Sequence, residues 1–393
     1  MMKNNLSPVN PRLLIIIMSL GVFGIINTEM GVVGIIPMIA ESFNVSVPQA
    51  GWTVSAFALI VALSAPLMPL LCSAINRKYM MVFALGLFVL SNIISALSDD
   101  FTLLIIARMV PAFLHPVYVS MAFTLAAGAV APEDAPKAVS RVFIGVSAGM
   151  VLGVPLTTFI AGHISFSAAM WFFTLINGLV LLATLFILPS MPVKEKLSYG
   201  RQLSVLKTPL LWYALLSTVL INGGIFGFFS YMSDFLHSVT EISFDRISLL
   251  LLVYGGSNIL GNIVAGRLLA AYPLISLLSV PPALALAYIM LYYYGDSFGI
   301  SLALLFMLGT MAGTVANNMQ YTLIKAAPKA PDFANGLFLA SANLGTMFGT
   351  LVCGMVITRF GTLYSPWGAV SLLSVGLLLL LLCCGFFRHQ SAE

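Results

Sequence analysis

Charge is the scarcest property of this sequence. Only 8% of the 393 residues are Asp, Glu, Lys or Arg, whereas soluble domains carry about 25% charged residues. A surface that faces water needs roughly that fraction or more, so the composition excludes an ordinary soluble enzyme. Hydrophobic residues make up 60% of the chain, and the mean hydropathy is +1.05. Most of the surface is therefore expected to face lipid.

Cysteine and the short signatures of cofactor chemistry are also scarce. Cys72, Cys353, Cys383 and Cys384 lie in or beside apolar segments, so no disulfide framework is predicted. The sequence has no Walker-type phosphate loop and no H-E-x-x-H or paired C-x-x-C metal motif, which argues against an ATP-driven pump, an enzyme and a bound cofactor. The net charge is +4, but the basic residues are scattered between apolar runs and offer no face for nucleic acid.

Apolar runs divide the chain into twelve predicted spans. A helix needs about 20 mainly apolar residues to cross the hydrocarbon core, and cuts at charge clusters, prolines and glycines leave twelve such runs. The first run is about twice as long as the ~7–15 apolar residues of a signal peptide, so we interpret it as a retained span. The predicted spans are residues 13–40, 48–73, 79–98, 101–129, 137–163, 168–189, 209–235, 245–269, 273–294, 298–326, 333–358 and 364–387.

Basic residues predict the orientation of these spans. Short cytoplasmic loops are enriched in Lys and Arg, and an inside N-terminus places fourteen of the 17 basic residues on the cytoplasmic side. Arg246 and Arg359 then lie outside, and Arg108 lies within span 4. Both termini are therefore predicted to be cytoplasmic. The cytoplasmic set is Lys3, Arg12, Arg77, Lys78, Lys137, Arg141, Lys194, Lys196, Arg201, Lys207, Arg267, Lys325, Lys329 and Arg388.

The one long polar connection separates six spans from six. We expect an all-α membrane protein with twelve transmembrane helices in two six-helix bundles, residues 1–189 and 209–393, joined by a cytoplasmic linker at 190–208. Paired halves of this kind are typical of secondary transporters, which bind their solute near the midplane between the halves. The predicted domain organisation therefore favours transport over catalysis.

Stripes of small residues support a repeat between the two halves. Small residues at every fourth position let helices approach closely in lipid, and such stripes occur at equivalent places in spans 5 and 11. Either stripe alone could serve packing without any role in transport. A proline at the end of the first stripe predicts a bend, because proline removes a backbone donor from the helix. The residues are Gly145, Gly149, Gly153 and Pro155 in span 5, and Ser341, Gly345 and Gly349 in span 11.

Glu29 is the most informative charge, because it lies within span 1. A charge at the centre of a membrane helix costs ~2.5–3.5 kcal/mol on insertion scales and needs a partner or a wet cavity. Burial disfavours the ionised form of a carboxyl group, so we predict that Glu29 takes up and releases a proton. A static ion pair, or a water-exposed position at the outer helix end, is the alternative.

Arg108 and His115 lie in span 4, seven residues apart and on nearly the same helix face. Arginine stays charged in proteins, so Arg108 is predicted to be a fixed positive charge to which a carboxylate or a water chain responds. Snorkelling to the outer surface is its alternative. His115 is predicted to relay protons or to contact the solute, and a packed, hydrogen-bonded histidine is equally consistent with the sequence.

Carboxamides, most of them in the second half, predict a pocket for an uncharged, hydrogen-bonding solute, with aromatic residues as its walls. Hydrogen bonds between helices would explain several of these carboxamides equally well. The predicted substrate-binding residues are Asn27, Tyr118, Asn222, Phe226, Tyr254, Asn258, Asn317, Asn318, Gln320 and Asn343.

The first two spans resemble a known family. Asn27-Thr28-Glu29, the following Gly34 to Pro37, and Ala50-Gly51 are similar to elements of the twelve-spanning drug:proton antiporters of the major facilitator superfamily. The resemblance is strongest to bacterial exporters related to arabinose and purine-nucleoside efflux proteins, and it extends over essentially the whole chain. Arg108 and His115 match an arginine of the family's span 4 and a histidine that often follows it.

Two further motifs match this family less well. The glycine stripe of span 5 resembles the antiporter motif, with its proline displaced to Pro155. After span 2, the conformational-switch motif keeps its basic pair at Arg77 and Lys78, whereas Ser73 stands where an Asp is expected. These residues are the predicted conformational motifs.

The resemblance implies a monomeric, proton-coupled antiporter in the bacterial cytoplasmic membrane. It would export a small organic solute, a drug or a metabolite, by alternating access, and its partners would be that solute, protons and the lipid bilayer. Two alternatives stay open. One is a sugar or nucleoside exporter or facilitator without proton coupling, and the other is a membrane sensor or assembly protein that transports nothing.

Overall fold

The chain is helical almost throughout. A computed structural model describes residues 10–131, 134–191, 206–327 and 331–390, and no strand occurs within these ranges. In the described residues, twelve helical runs are long and apolar enough to cross a membrane. We label them α1 (Pro11–Ser42), α2 (Val47–Ser64), α3 (Arg77–Leu97), α4 (Phe101–Gly128), α5 (Ala138–His163), α6 (Phe166–Ile187), α7 (Pro209–Ser238), α8 (Phe244–Ala271), α9 (Pro273–Tyr294), α10 (Phe298–Ala326), α11 (Gly336–Phe360) and α12 (Thr362–Gly385).

The twelve runs confirm the predicted spans in number and order, with one clear difference in length. Span 2 was expected to reach residue 73, but α2 ends at Ser64. Pro66 lies two residues after Ser64, and proline lacks the backbone N–H that would continue the helical hydrogen bonds. A separate short helix, Met68–Leu71, and a 3₁₀ turn, Cys72–Ala74, complete the connection to α3.

Part of the predicted linker and of the basic set lies outside the described residues. This applies to linker residues 192–205 and to Lys3, Lys194, Lys196, Arg201 and Lys329, and it applies to the side chains of Ser73, Lys137 and Arg388.

Three helices of the first half are irregular along their length, and each irregularity lies beside a proline: Pro37, Pro116 or Pro155. α1 tightens into a 3₁₀ turn at Gly31–Ile35. α4 is interrupted between Ala112 and His115, where Pro116 cannot donate a backbone hydrogen bond. α5 widens into a π-helical turn at Gly149–Gly153, just before Pro155. Such π turns often occur at functional sites.

The start of α4 has a well-formed cap. The carboxylate of Asp100 accepts hydrogen bonds from the backbone N–H groups of Thr102 (2.6 Å) and Leu103 (3.0 Å). These two hydrogen bonds, of which the one from Leu103 contributes more, hold the pKa of the Asp100 carboxyl below its ordinary value, because they stabilise its charged form. This cap fixes the end of the helix that carries Arg108.

The helices pack as two groups of six with equivalent neighbours. In the first half, α1 packs on α5, α3 on α6, and α2 on α4. In the second half, α7 packs on α11, α9 on α12, and α8 on α10. Each pair in one half has its counterpart six helices later in the other. The observed packing is therefore that of a six-helix repeat.

The two small-residue stripes lie at equivalent interfaces of this repeat. A Cβ atom added to Gly149 of α5 would lie 2.8 Å from the side chain of Ile26 in α1. A Cβ atom added to Gly349 of α11 would lie 2.6 Å from the backbone of Gly223 in α7. Only glycine allows these approaches, so the stripes set how closely α5 packs on α1 and how closely α11 packs on α7.

The two halves meet at the end of the molecule that is predicted to face outward. Tyr231 of α7 fills the space beside Gly51, at the start of α2, and Gly162 of α5 packs on Phe244, at the start of α8. Towards the opposite end, a cleft of about 770 Å³ opens between α5 and α8. Its lining includes Ser140, Phe143, Ser147, Val151, Leu152 and Ile259.

Candidate functional site

Glu29 and His115 are brought together inside the first half. Glu29 lies at the end of the regular part of α1, and His115 begins the second segment of α4. The Nε2 atom of His115 lies 3.0 Å from Oε2 of Glu29, and the two side chains are 3% and 7% exposed. Neither ring nitrogen makes an aligned hydrogen bond to a described residue. The contact is therefore a close electrostatic one between two titratable groups.

Arg108 is buried beside this pair and is held from three directions. Its Nη2 atom donates to the carbonyl oxygen of Thr28 (3.1 Å), and its Nε atom donates to the carbonyl oxygen of Thr53 (3.4 Å). The guanidinium lies over the ring of Phe57, 5.5 Å from the centroid. The same ring packs edge-on against His115. Arg108 thus points into the bundle, and the alternative in which it snorkels to the surface does not occur in this structure.

Thr28 is the centre of a hydrogen-bond network around the acid. Its hydroxyl donates to the carbonyl oxygen of Gly24 (3.0 Å), and it accepts from Nδ2 of Asn177 (2.9 Å) and of Asn92 (3.3 Å). The network ties α3 and α6 to α1 at the residue before Glu29. Asn92 and Asn177 were not predicted as site residues, although a carboxamide inside an apolar span is the same signal that identified others.

The charges of the site nearly balance. Glu29 contributes −1 and Arg108 contributes +1, and His115 is neutral or positive according to its protonation. An unpaired charge is costly in surroundings of low polarity, so one proton can be exchanged here while the net charge stays between 0 and +1. The site therefore combines two titratable groups with one fixed positive charge.

Two residues predicted to contact the solute lie inside helix interfaces instead. Asn27 is fully buried, and its carboxamide faces Gly153 in the π turn of α5. Tyr118 is also fully buried, and its hydroxyl lies against Gly21 of α1. Tyr118 follows His115 by three residues and therefore shares its inward face of α4. The structure gives neither residue a place on the wall of an open cleft.

Phe226 and Tyr254 belong to an aromatic cluster in the second half. Phe229 stacks on Tyr254 with ring centroids 4.9 Å apart, and Phe226 meets Phe229 edge-on at 6.0 Å. The backbone next to Tyr254 touches the first half, because a Cβ atom on Gly255 would lie 2.8 Å from Val151 in the π turn of α5. The cluster therefore lies where α8 meets α5.

Three carboxamides form a partly exposed row across α8 and α10. Nδ2 of Asn317 donates to Oδ1 of Asn262 (2.6 Å), and Nδ2 of Asn262 is 3.4 Å from Oδ1 of Asn258. Gln320 is half-buried one turn further along α10. This row keeps polar groups available for a solute.

The other predicted asparagines are buried in the second half. Asn318 is fully buried, and its side chain both donates to the carbonyl oxygen of Ser276 and accepts from its hydroxyl, at 2.9 Å each. Asn343 donates to Leu339 of its own helix (3.0 Å), and Asn222 packs against Gly345. Both ends of the Asn318 carboxamide are thus engaged between α9 and α10, so the geometry does not support its predicted role in binding solute.

The predicted conformational motifs lie at the start of α3 and in the middle of α5. Arg77 and Lys78 begin α3, and this connection is tied to the end of α6 by a bond of 3.1 Å from the Arg77 N–H to the carbonyl oxygen of Met191. Residues 145–149 also fit the letters of a G-x-S-x-G motif. A nucleophile elbow needs a strand-to-helix turn, whereas these residues are helical.

Comparisons with known proteins agree with this architecture. The profile of the Major Facilitator Superfamily matches residues 18–331. The inner membrane transport protein YdhP of Escherichia coli (strain K12) is 28% identical over 367 residues, which is 93% of each chain. A Helicobacter pylori protein named "Probable sugar efflux transporter" is 28% identical over 367 residues, which is 92% of this chain and 93% of that one.

A solved structure shares the fold. The nucleoside transporter NupG superposes with a TM-score of 0.79 at 14% identity, over 96% of this chain and 100% of the other. The relatives are transporters and not enzymes. The predicted superfamily and the all-α, twelve-span fold are thus confirmed. Because the family profile covers most of its length, the chain belongs to the Major Facilitator Superfamily and is a multi-pass membrane transporter.

Proposed function

We propose that this transporter is a proton-coupled antiporter that exports a small organic solute, with Glu29 as its proton-binding group. The observation that carries the proposal is the contact of 3.0 Å between Glu29 and His115, buried beside Arg108. A carboxyl and an imidazole in contact can share one proton, and the fixed charge of Arg108 makes the energy of the site depend on where that proton is.

Coupling requires that the proton and the solute bind the two conformations with different affinities. Glu29 directly precedes the irregular part of α1, and Asn27 packs on Gly153 in the π turn of α5. The same turn contacts Gly255 of α8 through Val151. A change of charge at Glu29 therefore acts next to a helix that touches the other half.

We infer that the solute is uncharged and polar, with a sugar as the best fit. Carboxamides offer both donors and acceptors, and the row Asn258, Asn262 and Asn317 remains partly exposed. Phe226, which is half-buried beside the stacked rings of Phe229 and Tyr254, offers an apolar surface against which a sugar ring can pack. The relative from Helicobacter pylori is named for sugar efflux. These features favour a sugar over an apolar drug.

We also propose that the protein acts as a monomer in the cytoplasmic membrane of a bacterium, with both termini cytoplasmic and a linker at 190–208 between the halves. The bias of basic residues supports this orientation. The name of YdhP as an inner membrane protein supports the location.

The test is Glu29→Gln, which keeps the shape of the side chain and removes its charge. The variant is reconstituted in proteoliposomes with a labelled pentose as the probe. We expect proton-driven pentose efflux to fall on the order of tenfold or more, because Gln cannot carry the proton, while counterflow of the pentose persists. Glu41→Gln, at the exposed end of the same helix, is the matched control and should keep full activity.

Undiminished proton-driven efflux by Glu29→Gln would contradict the proposed role. Unchanged solute accumulation after addition of a proton ionophore would favour an uncoupled facilitator. Absence of counterflow with pentoses, nucleosides and antibiotics would favour a sensor or assembly protein.

A further inference from the structure

Buried polar atoms without partners are concentrated in the first half. Among the described residues, twelve buried side-chain nitrogen or oxygen atoms make no aligned hydrogen bond, and ten of them belong to α1, α3, α4 and α6. Buried polar groups in native proteins almost always have a partner, and exceptions indicate a bound water or ion. Because most of these atoms lie in the first half, we infer that their cause also lies within that half.

The positions on α1 and α6 define a line along the bundle. Asn177 binds Thr28, so these residues lie at the same level. Gly21 precedes Thr28 by seven residues, and Thr184 follows Asn177 by seven. Because α1 and α6 run in opposite directions, seven residues back along α1 and seven residues forward along α6 lead towards the same end of the bundle, by about 10 Å. Thr184 and Gly21 thus lie at one level, nearer the predicted cytoplasmic end.

Tyr118 reaches the same level from α4. A Cβ atom on Gly21 would lie 2.7 Å from Cζ of Tyr118, and the hydroxyl of Tyr118 interacts with that of Thr184, although not with the geometry of an aligned hydrogen bond. Neither hydroxyl has an aligned partner in the described part of the chain. Tyr118 lies one turn beyond His115, whose Nδ1 atom likewise lacks a partner there. Groups without an aligned hydrogen bond therefore continue from His115 to Thr184.

This line lies apart from the cleft between the halves. Tyr118 and Thr184 are both fully buried, and His115 is 2% exposed. The titratable and charged groups that face the line are Glu29, Arg108, His115 and Tyr118. None of the residues that line the cleft between α5 and α8 belongs to it.

We propose that a hydrated polar pocket lies inside the first half, between α1, α4 and α6, and that it conducts the proton of Glu29 and His115 past Tyr118 to Thr184. Its ligand is water, which takes two to four hydrogen bonds in such sites. The groups available to it are Nδ1 of His115, Oδ1 of Asn177 and the hydroxyls of Tyr118 and Thr184. The proposal rests on the proposed function, because it supplies a route for the same proton.

The transfer is balanced at each step. The carboxyl of Glu29 gives its proton to Nε2 of His115, and the imidazolium releases its Nδ1 proton to the next water oxygen. Each oxygen along the line accepts one proton and passes one on. Only O–H and N–H bonds form and break. Glu29 ends as the carboxylate, and the waters and hydroxyls end with the protonation that they had before. His115 regains its first tautomer when its proton returns from Nε2 to Nδ1, and the released proton passes to water at the predicted cytoplasmic end.

Radiolytic hydroxyl-radical footprinting of the full chain tests the water itself and needs no solute. Water bound beside a buried side chain makes it react, so we expect Tyr118 to be modified at least about fivefold faster than Tyr288. Tyr288 is the matched control, because it is equally buried and packs on Phe228. Equal, slow modification of the two tyrosines would overturn the pocket.

Transport tests the conduction. Tyr118→Phe and Thr184→Val remove the two hydroxyls with little change of shape. We expect their combination to lower the ratio of proton-driven efflux to counterflow, with the same pentose, by about tenfold. Thr158→Val is the control, because that buried hydroxyl is already bonded to Val154 of its own helix (2.9 Å), and it should leave the ratio unchanged.

The outcomes separate the two proposals. An unchanged ratio in the double variant would overturn conduction through the pocket, even if Tyr118 is hydrated. Retained proton-driven efflux in Glu29→Gln would overturn the proposed function, whatever the footprint of Tyr118.

Discussion

At the scale of single residues, the charged members of the site could be predicted from the sequence, whereas the neutral residues that hold them could not. Glu29 and Arg108 stand out because a charge within a span needs a partner. Asn92 and Asn177 are also polar residues in apolar helices, but their common partner, Thr28, is 64 and 149 residues away. Such partners become visible only when α3, α6 and α1 are packed together.

Thr28→Val tests this network. Valine keeps the shape of the side chain but removes the oxygen that accepts from Asn92 and Asn177. A buried donor left without a partner costs about 1–3 kcal/mol, so we expect the free energy of unfolding to fall by about that amount. Asn177 retains two backbone acceptors, so the loss falls mainly on Asn92. Denaturant unfolding in detergent micelles measures it.

Thr158→Val is the control for stability as well, because its hydroxyl bonds only to its own helix among the described residues. If the two variants lost the same free energy of unfolding, the hydroxyl of Thr28 would contribute no more to stability than a hydrogen bond within one helix.

At the scale of helices, the sequence predicts where apolar runs lie but gives less information about their interruptions. The bend near Pro155 was expected, and the structure places a π turn directly before it. The end of α2 was predicted too late, because an apolar run continues past Pro66 although the helix does not. The small-residue stripes were recognisable from spacing alone. Their partners, α1 and α7, could be identified only from the packing.

Gly349→Ala tests the packing of α11 on α7. The added Cβ would lie 2.6 Å from the carbonyl carbon of Gly223, and backbone atoms cannot move aside as a side chain can. We expect the free energy of unfolding to fall by about 1–3 kcal/mol. Gly256→Ala in α8 is the matched control, because no atom lies within 4 Å of its added Cβ. That change should be neutral or stabilise by about 0.4–1 kcal/mol.

Thermal unfolding of both variants in the same detergent provides the comparison. If Gly349→Ala were as stable as Gly256→Ala, α11 would have to tolerate a wider separation from α7 than the structure shows.

At the scale of the whole molecule, the number of spans and their division into halves can be predicted from composition. Composition does not predict at which end of the molecule the two halves are in contact. That choice depends on contacts such as the one between Gly51 and Tyr231, which are 180 residues apart. Tyr231 belongs to the second half, and its hydroxyl donates to the carbonyl oxygen of Thr350 in the same half (3.2 Å). Alternating access requires Gly51 and Tyr231 to separate when the predicted outer end opens.

Gly51→Ala should therefore shift the balance between the two conformations. The added Cβ would lie 2.8 Å from Cζ of Tyr231, and overpacking of this kind costs about 1–3 kcal/mol. The cost arises only while the outer end is closed, so the open population should rise about 5- to 150-fold. Spin labels at Glu41 and Arg359, exposed at that end, report it as a longer distance. Gly86→Ala, which meets nothing within 4 Å, should leave the distances unchanged. If Gly51→Ala gave the same distances as Gly86→Ala, Tyr231 would not be part of the closure.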